Sequence, residues 1–199
     1  MLACLDANSD IFAGMWDGDQ WVATSTKTLT TTASLATKEV FDIAWESVSG
    51  NCLVVYGIAA GNCQTQIFYS TGSWIGAPIT APIISGTVLH CASISADPAS
   101  NRIAFTSIDA GPRWNVGLWD GNTWNPTAPP TRDTSMETNA ARSTDVKWEK
   151  DSGKCMIVAA DSNSREVSFL SWSPAYGWHN PLTLGSITDL GTQAPKTTI

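Results

Sequence analysis

The chain has 199 residues, a formal net charge of −7 at pH 7, 43% hydrophobic residues and 15% charged residues. This composition excludes a disordered chain and predicts a globular protein with a sizeable core. The acidic balance argues against nucleic acid and anionic membrane surfaces as partners, because phosphate groups require a basic surface. No apolar run is long enough to cross a bilayer, so we expect no membrane insertion.

The first predicted element is a short apolar run rich in branched residues, which is typical of a strand buried on both faces. Residues 4–7 match this pattern poorly, whereas three later copies match it clearly. A polar loop and a second predicted strand follow each copy. The later copies of the first strand are residues 52–56, 102–106 and 155–159, and the second strands are residues 11–16, 66–70, 116–119 and 167–172.

A tryptophan closes a turn after each second strand. The four tryptophans are separated by steps of 53, 50 and 54 residues (74−21, 124−74, 178−124). A Thr/Pro-rich stretch with room for a third strand follows. A fourth strand is predicted at residues 40–46 and 144–149, with residues 90–94 as a divergent copy. Repeats of about fifty residues built from strands are typical of propeller blades. The tryptophans are Trp21, Trp74, Trp124 and Trp178.

We therefore predict an all-β fold, a β-propeller-like array of about four four-stranded antiparallel blades in a single repeat domain. The chain ends before another copy of the fourth strand, so we expect a part of a larger propeller or a last blade without its outer strand. A β-sandwich is the alternative, since it also has strands at regular intervals. A sandwich does not explain why the four turn-closing tryptophans recur at nearly equal spacing. The expected blades are approximately residues 1–50, 51–100, 101–153 and 154–199.

The five cysteines are an odd number, so they cannot all pair within one chain. Cys4, Cys52 and Cys155 recur at one position of the repeat, and we expect these three and Cys91 to be buried free thiols. Cys63 follows Gly-Asn, which predicts an exposed loop. A disulfide between Cys52 and Cys63 stays open as an alternative, although the two positions are not obviously opposite each other.

One segment suggests a calcium site. Asp6, Asn8 and Asp10 alternate along the chain, and Asp17 follows eleven residues after Asp6, which is the spacing of a calcium-binding loop. Ile11 occupies the position where such a loop has its glycine, and the other repeats do not keep the pattern. A turn rich in Asp and Asn is the favoured interpretation, with Ca²⁺ as the alternative and no other cofactor expected.

Catalytic patterns are missing from the sequence. His90 and His179 are the two histidines, and neither has a serine, cysteine or carboxylate pattern that indicates a nucleophile and its base. Four acids recur together, but they recur because the repeat does, which favours a structural role over glycoside hydrolysis. We predict no catalytic residues and no enzymatic activity. The recurring acids are Asp42, Glu46, Asp145 and Glu149.

The tryptophans are the best candidates for ligand contacts. The four that close the turns are expected to pack blade against blade, with a ring of sugar-stacking platforms as the alternative. Trp16, Trp119 and Trp172 precede these turns and are expected to be partly exposed. Trp114 lies in a predicted loop that the repeat does not explain, and we rank it first among the candidate ligand-binding residues.

Residues 13–21 (AGMWDGDQW) and 116–124 (VGLWDGNTW) resemble the WDGxxW segment of bacterial kelch-like propeller repeats. Residues 45–51 and 148–154 distantly resemble the turn of Asp-box propellers. The resemblance implies a propeller blade and leaves the activity open, because such propellers include sialidases, oxidases, binding modules and scaffolds. The arginine triad of a sialidase cannot be placed on the five arginines, and the copper ligands of an oxidase are not clustered.

The leading functional hypothesis is a non-enzymatic, extracellular structural or adhesion module at a bacterial cell surface, although no signal peptide precedes Leu2. A composition rich in Thr, Ser, Ala, Asn and Gly with little Lys is common in secreted surface proteins. Expected partners are other copies of the chain, through strand complementation, or the rest of a larger surface protein. The alternative is a carbohydrate-binding or glycan-processing propeller with a glycan partner; a protein–protein hub is a third option.

Overall fold

The computed structural model describes residues 1–34, 37–81, 87–125, 135–139, 142–162 and 166–179, together with the backbone of residues 182–186. All regular secondary structure in these residues is β-strand, and no helix among them is long and apolar enough to cross a membrane. The strands are β1 (Leu2–Leu5), β2 (Ile11–Trp16), β3 (Trp21–Thr30), β4 (Phe41–Trp45), β5 (Cys52–Ile58), β6 (Asn62–Phe68), β7 (Ile79–Thr80), β8 (Leu89–Ala96), β9 (Ile103–Asp109), β10 (Trp114–Trp119), β11 (Thr144–Trp148), β12 (Cys155–Ala160), β13 (Glu166–Ser173), β14 (Gly177–Trp178) and β15 (Leu182–Ser186).

The strands form four antiparallel sheets in chain order. The first sheet contains β1–β3, the second β4–β7, the third β8–β10 and the fourth β11–β15. In the fourth sheet, β14 and β15 pair with opposite ends of β13, at Trp172↔Trp178 and Glu166↔Ser186, so the two pieces share one outer edge. The predicted all-β array of four antiparallel units is thus confirmed.

Strand β5 shows why the first predicted strands read as continuous apolar runs. Cys52, Val54 and Tyr56 belong to the core that includes Ile11 of the first sheet. The alternate side chains, Leu53 and Val55, belong to a second core with residues of the third sheet. Because successive side chains of a strand point to opposite faces, a sheet between two others must be apolar on both faces.

The division into units differs from the predicted one. The strand expected to come last in each unit opens the next sheet instead, because β4 pairs with β5 and β11 pairs with β12. The predicted limits near residues 50 and 153 therefore separate two strands of the same sheet. The first sheet lacks a counterpart of β4 in the described residues, whereas the fourth contains one, β11. Residues 187–199, where the missing strand was expected, lie outside the described residues.

The first strands of neighbouring sheets lie side by side. Strand β4 contacts β8, and β8 contacts β11. The Asp42 carboxylate accepts a hydrogen bond from the backbone N–H of Ile94 at 2.9 Å, and the Ser93 hydroxyl donates to Asp145 Oδ1 at 3.0 Å. Sheets joined through their first strands in this way match the inner strands of propeller blades. The register also shows that Ser93, and not His90, is the counterpart of Asp42 and Asp145.

Three hydrophobic cores separate the four sheets, and the turn-closing tryptophans help to seal them. Trp74 of the second sheet donates its indole N–H to the carbonyl of Ser25 in the first sheet at 2.7 Å. Trp124 of the third sheet donates to Thr65 Oγ1 in the second at 3.0 Å. The predicted packing of sheet against sheet is confirmed for these two tryptophans. Trp21 is 51% exposed because no described residues pack on the outer face of the first sheet.

The cysteines differ from expectation at two positions. All five are free, and Cys52, Cys91 and Cys155 are buried as predicted. Cys63 is also buried, in β6, so its predicted exposure is wrong. It lies opposite Gly57, whereas Cys52 lies opposite Phe68, so the pair does not face across the hairpin. Cys4 is exposed because its face of the first sheet is uncovered in the described structure.

Candidate functional site

A cleft recurs beside the hairpin that joins the first two strands of a sheet. Between the second and third sheets it is a cavity of about 150 Å³. One wall comes from the second sheet and includes Asn51, Ile67, Tyr69 and Ile75. The other wall comes from the third sheet and includes Trp119. The two sheets therefore enclose this copy of the cleft.

Glu46 closes the enclosed cleft from within. Its side chain is 2% exposed, and its Oε1 accepts a hydrogen bond from the indole N–H of Trp119 at 2.6 Å. Its Oε2 accepts from the Asn51 amide at 2.9 Å and from the Ser49 hydroxyl. Both carboxylate oxygens are thus engaged, as expected for a buried acid. Glu46 therefore links the second and third sheets.

The fourth sheet carries an open copy of the same cleft, with a volume of about 510 Å³. The backbone shows the equivalence, since His179 N–H donates to the carbonyl of Ser171 as Ile75 N–H donates to that of Ile67, both at 2.8 Å. Ser171 and His179 therefore stand where the enclosed cleft has two isoleucines. Lys154 and Ser173 also line the open cleft.

Tyr176 and His179 give this open cleft an aromatic edge. Tyr176 is 80% exposed, and its ring lies edge-on to that of His179 with 5.9 Å between centroids. The Ser173 hydroxyl is 3.2 Å from His179 Nε2, and the imidazole tautomer decides which of the two donates. An exposed ring beside hydroxyls and an imidazole offers an apolar platform together with hydrogen-bond donors and acceptors.

Trp172 forms the boundary between this cleft and the third sheet. Its ring is 9% exposed, and the Arg102 guanidinium carbon lies 5.1 Å from its centroid. Arg102 also forms an ion pair with the buried Asp97, at 3.4 Å between Nε and Oδ2. The stacked cation and its carboxylate hold Trp172 in place as a wall of the cleft.

Known protein structures share this architecture. No protein-family model and no curated protein sequence matches the chain. Solved structures do match. BP39L lectin from Burkholderia pseudomallei aligns over 92% of this chain and 51% of the lectin chain, with 12% identity and a TM-score of 0.67. The chain has a β-propeller fold.

Two further structures with this propeller fold hold sugars. SapL1 lectin in complex with alpha methyl fucoside aligns over 93% of this chain and 60% of its own, with 16% identity and a TM-score of 0.57. A mutant of Aleuria aurantia lectin in complex with alpha-methyl-L-fucoside aligns over 92% and 56%, with 16% identity and a TM-score of 0.53. The chain spans between 51% and 60% of the length of these three lectins. The finer resemblance to kelch-like and Asp-box repeats stays a prediction.

The propeller buries three of the four tryptophans that were predicted to contact a ligand. Trp114 is 3% exposed and donates its indole N–H to Thr106 Oγ1 at 2.9 Å inside the core between the third and fourth sheets. The predicted partial exposure is wrong for Trp119 and for Trp172, because neighbouring sheets pack on both. Trp16 is 46% exposed, as predicted.

The four predicted calcium ligands are not brought together. Asp6 accepts hydrogen bonds from the backbone N–H groups of Asn8 and Asp10 in a turn before β2. Asp17 accepts from Asp19 and Gln20 in a separate turn after β2. Six strand residues, about 20 Å of chain, lie between the two turns. The hypothesis of a shared calcium site is therefore wrong, and no group of three or more metal-binding side chains occurs in the described part of the chain.

The residues of the open cleft were not predicted from the sequence. Ser171, Ser173 and Tyr176 were not among the predicted site residues, and His179 was considered only as a catalytic histidine. A signal was available in the alignment of repeats, because these polar residues replace apolar ones of the second copy. The signal has no meaning until the pairing of β13 with β14 shows that the positions share one wall.

Proposed function

We propose that the chain is a carbohydrate-binding propeller module that binds a neutral sugar in the open cleft of the fourth sheet. The observation that carries this proposal is the exposed Tyr176 ring beside the hydroxyl of Ser173 and the imidazole of His179. The propeller fold shared with lectins supports it, since two of the matching structures are complexes with methyl fucosides. This function is favoured over the structural and adhesive role that the sequence suggested first.

The cleft has the chemical groups that a sugar requires. One face of a pyranose ring is lined by C–H groups, which pack on an aromatic ring such as Tyr176. Sugar hydroxyls both donate and accept, so the hydroxyl of Ser171 and the imidazole of His179 suit them, and the Lys154 ammonium adds a donor. No bond in the sugar is broken in this process. The proposal therefore agrees with the prediction of a non-enzymatic protein.

A binding measurement tests the proposal. We expect isothermal titration calorimetry to detect methyl α-L-fucoside, or a glycan array to identify another neutral sugar. Tyr176→Ala removes the apolar platform, and we expect it to weaken binding at least about tenfold, which corresponds to about 1.4 kcal/mol.

Val48→Ala is the control, because Val48 is 71% exposed in the turn between β4 and β5 of the second sheet, away from the open cleft. It should bind as the unchanged protein does. Failure of every glycan to bind, or equal affinities of the Tyr176→Ala variant and the unchanged protein, would rule out this site.

A structural or adhesive role remains the second candidate. It is favoured by the exposed tryptophans on the outer face of the first sheet, Trp16 and Trp21. Location at a cell surface stays a prediction from composition. A sugar-binding module and an adhesive one are compatible, because an adhesin attaches by binding.

A further inference from the structure

The two end faces of the array are exposed and partly apolar. On the first sheet, Leu2, Trp16 and Trp21 are 54%, 46% and 51% exposed, and a hollow of about 200 Å³ lies over Cys4. On the fourth sheet, Met156 is 44% exposed beside Glu149, in a hollow of about 350 Å³. Adjacent apolar side chains left open to solvent indicate a contact surface.

The fourth sheet presents one half of a contact that exists inside the chain. Glu149 is the counterpart of Glu46, since each ends a first strand and each backbone N–H bonds across the following hairpin at 2.8 Å. Ser152 donates to Glu149 as Ser49 donates to Glu46. Glu46 is buried against the next sheet, whereas Glu149 is exposed.

The first sheet presents the other half. Trp16 is the counterpart of Trp119. Trp16 ends β2 and Trp119 ends β10, and each tryptophan is followed by an Asp-Gly turn. Trp16 lies edge-on to Trp21 at 5.5 Å, and Trp119 lies edge-on to Trp124 at 5.6 Å. The indole of Trp119 reaches Glu46 of the preceding sheet, whereas Trp16 is 46% exposed.

We infer that a second copy of this chain docks its first sheet against the fourth sheet, with its Trp16 indole N–H donating to Glu149. The contact repeats the bond between Trp119 and Glu46, so the same shapes and charges meet between copies as within one. Each copy offers a different surface at each end, which makes the contact heterologous.

The lengths of the lectins indicate that two copies close the ring. One chain spans 51–60% of the length of those lectin chains, so two chains supply between 102% and 120% of one lectin chain. A head-to-tail contact repeated around a two-fold axis closes after two copies and leaves no end face exposed. The occupant of each end face is then the opposite end of the other copy.

Closure would also complete the sugar cleft, a consequence that rests on the proposed function. Trp119, Gly121 and Asn122 wall the enclosed cleft beside Glu46. In the ring, Trp16, Gly18 and Asp19 of the second copy would occupy the same places beside the open cleft. The exposed Trp16, which the sequence suggested as a ligand contact, would then line the site of the other copy.

The test combines particle mass with the reactivity of Cys4. The chain mass is 21.2 kDa, so light scattering coupled to gel filtration should give twice this value. Cys4 is the exposed cysteine of the five and lies on the face that the second copy covers. We therefore expect no thiol to react rapidly with a disulfide reagent in the folded dimer.

Two variants distinguish the contact from a general effect on folding. Trp16→Ala and Glu149→Ala should each raise the dissociation constant of the dimer at least tenfold and release one fast-reacting thiol per chain. Glu149 is exposed and outside the cores, so its replacement should leave the fold intact. Trp45→Ala is the control, because Trp45 is 38% exposed in the second sheet, away from both end faces.

A monomer with one fast-reacting thiol overturns the inference, and so does a trimer or an open filament. Both results are independent of sugar binding. A monomer that binds a fucoside would overturn the dimer and leave the proposed function in place. A dimer without affinity for any glycan would do the reverse.

Discussion

At the scale of single residues, the recurring acids hold strands and sheets in place. Glu46 joins the second and third sheets through Trp119. Asp97 is its counterpart in the third sheet and holds Arg102 against Trp172. The acid at this position thus links two sheets in both cases, through a hydrogen bond to Glu46 in one and through an ion pair of Asp97 in the other. Its recurrence in the sequence has a structural cause, as predicted.

The strength of the link through Glu46 can be measured. We expect Trp119→Phe to lower the free energy of unfolding by about 1–3 kcal/mol, because a buried carboxylate loses a donor. Urea unfolding of Trp119→Phe, Glu46→Gln and the double variant gives the coupling between the two side chains and separates it from the smaller ring. A coupling energy indistinguishable from zero would show that the contact contributes nothing to stability.

The pKa of Asp42 predicts a specific pH dependence. Burial raises this pKa above 3.8, although the Ile94 and Ile43 backbone N–H groups and the Arg142 charge oppose the rise. The folded state therefore holds the proton more tightly than the unfolded state. The resulting stability is complete below pH 3.8 and is lost as the pH rises through the raised pKa.

Asp42→Asn cannot ionise and should not show this loss. We expect the melting temperature of the unchanged protein, relative to that of the variant, to fall as the pH rises from 3 to 7. The comparison cancels the other titrating groups, which both proteins share. A constant difference across this range would contradict the raised pKa.

At the scale of elements, the tryptophan-closed turns depend on glycine in the left-handed region. Gly72 has a φ of 93° and Gly121 a φ of 101°. A Cβ on Gly72 would meet no atom within 4 Å, whereas one on Gly121 would lie 2.9 Å from the Cβ of Asn101. The two turns share one backbone shape in different surroundings.

This difference makes a matched pair of substitutions. We expect Gly72→Ala to cost about 1–2 kcal/mol of stability from its backbone conformation alone. Gly121→Ala should cost more, because Asn101 accepts hydrogen bonds from the hairpin of the second sheet and cannot move freely. Equal losses in thermal unfolding would show that the clash relaxes without cost.

At the scale of the whole molecule, a residue's burial depends on whether its sheet lies inside the array or at its end. Cys52 and Cys155 are buried, and burial raises the pKa of each thiol to about 12. Cys4 has the same position in the repeat but is exposed, because the described structure places no sheet over it. The same contrast separates Trp119 from Trp16. The residues that are exposed only at the end faces are therefore those that a docked partner would bury.

Much of the fold was predictable because it depends on local periodicity. Residues 52–56 indicated a strand with two buried faces, and the spacing of Trp21, Trp74, Trp124 and Trp178 indicated four units in register. The predicted limits of the units were displaced by one strand. The four strands recur in the same order along the chain, so the sequence does not mark which of them comes first in a sheet. Only the pairing of β4 with β5 shows which strands share a sheet.

The number of units and their all-β character were determined by the sequence itself, because strand formation and turn chemistry act between neighbouring residues. Exposure and proximity were decided only by the tertiary structure. Trp114 and Cys63 are buried, and Asp6 and Asp17 are kept apart, because sheets far along the chain pack on the first two and strand β2 separates the others. The open cleft of Ser173, Tyr176 and His179 likewise exists only after β13 and β14 pair. Whether a side chain is buried depends on the sheet that packs on it, and the residues of that sheet are distant in the sequence.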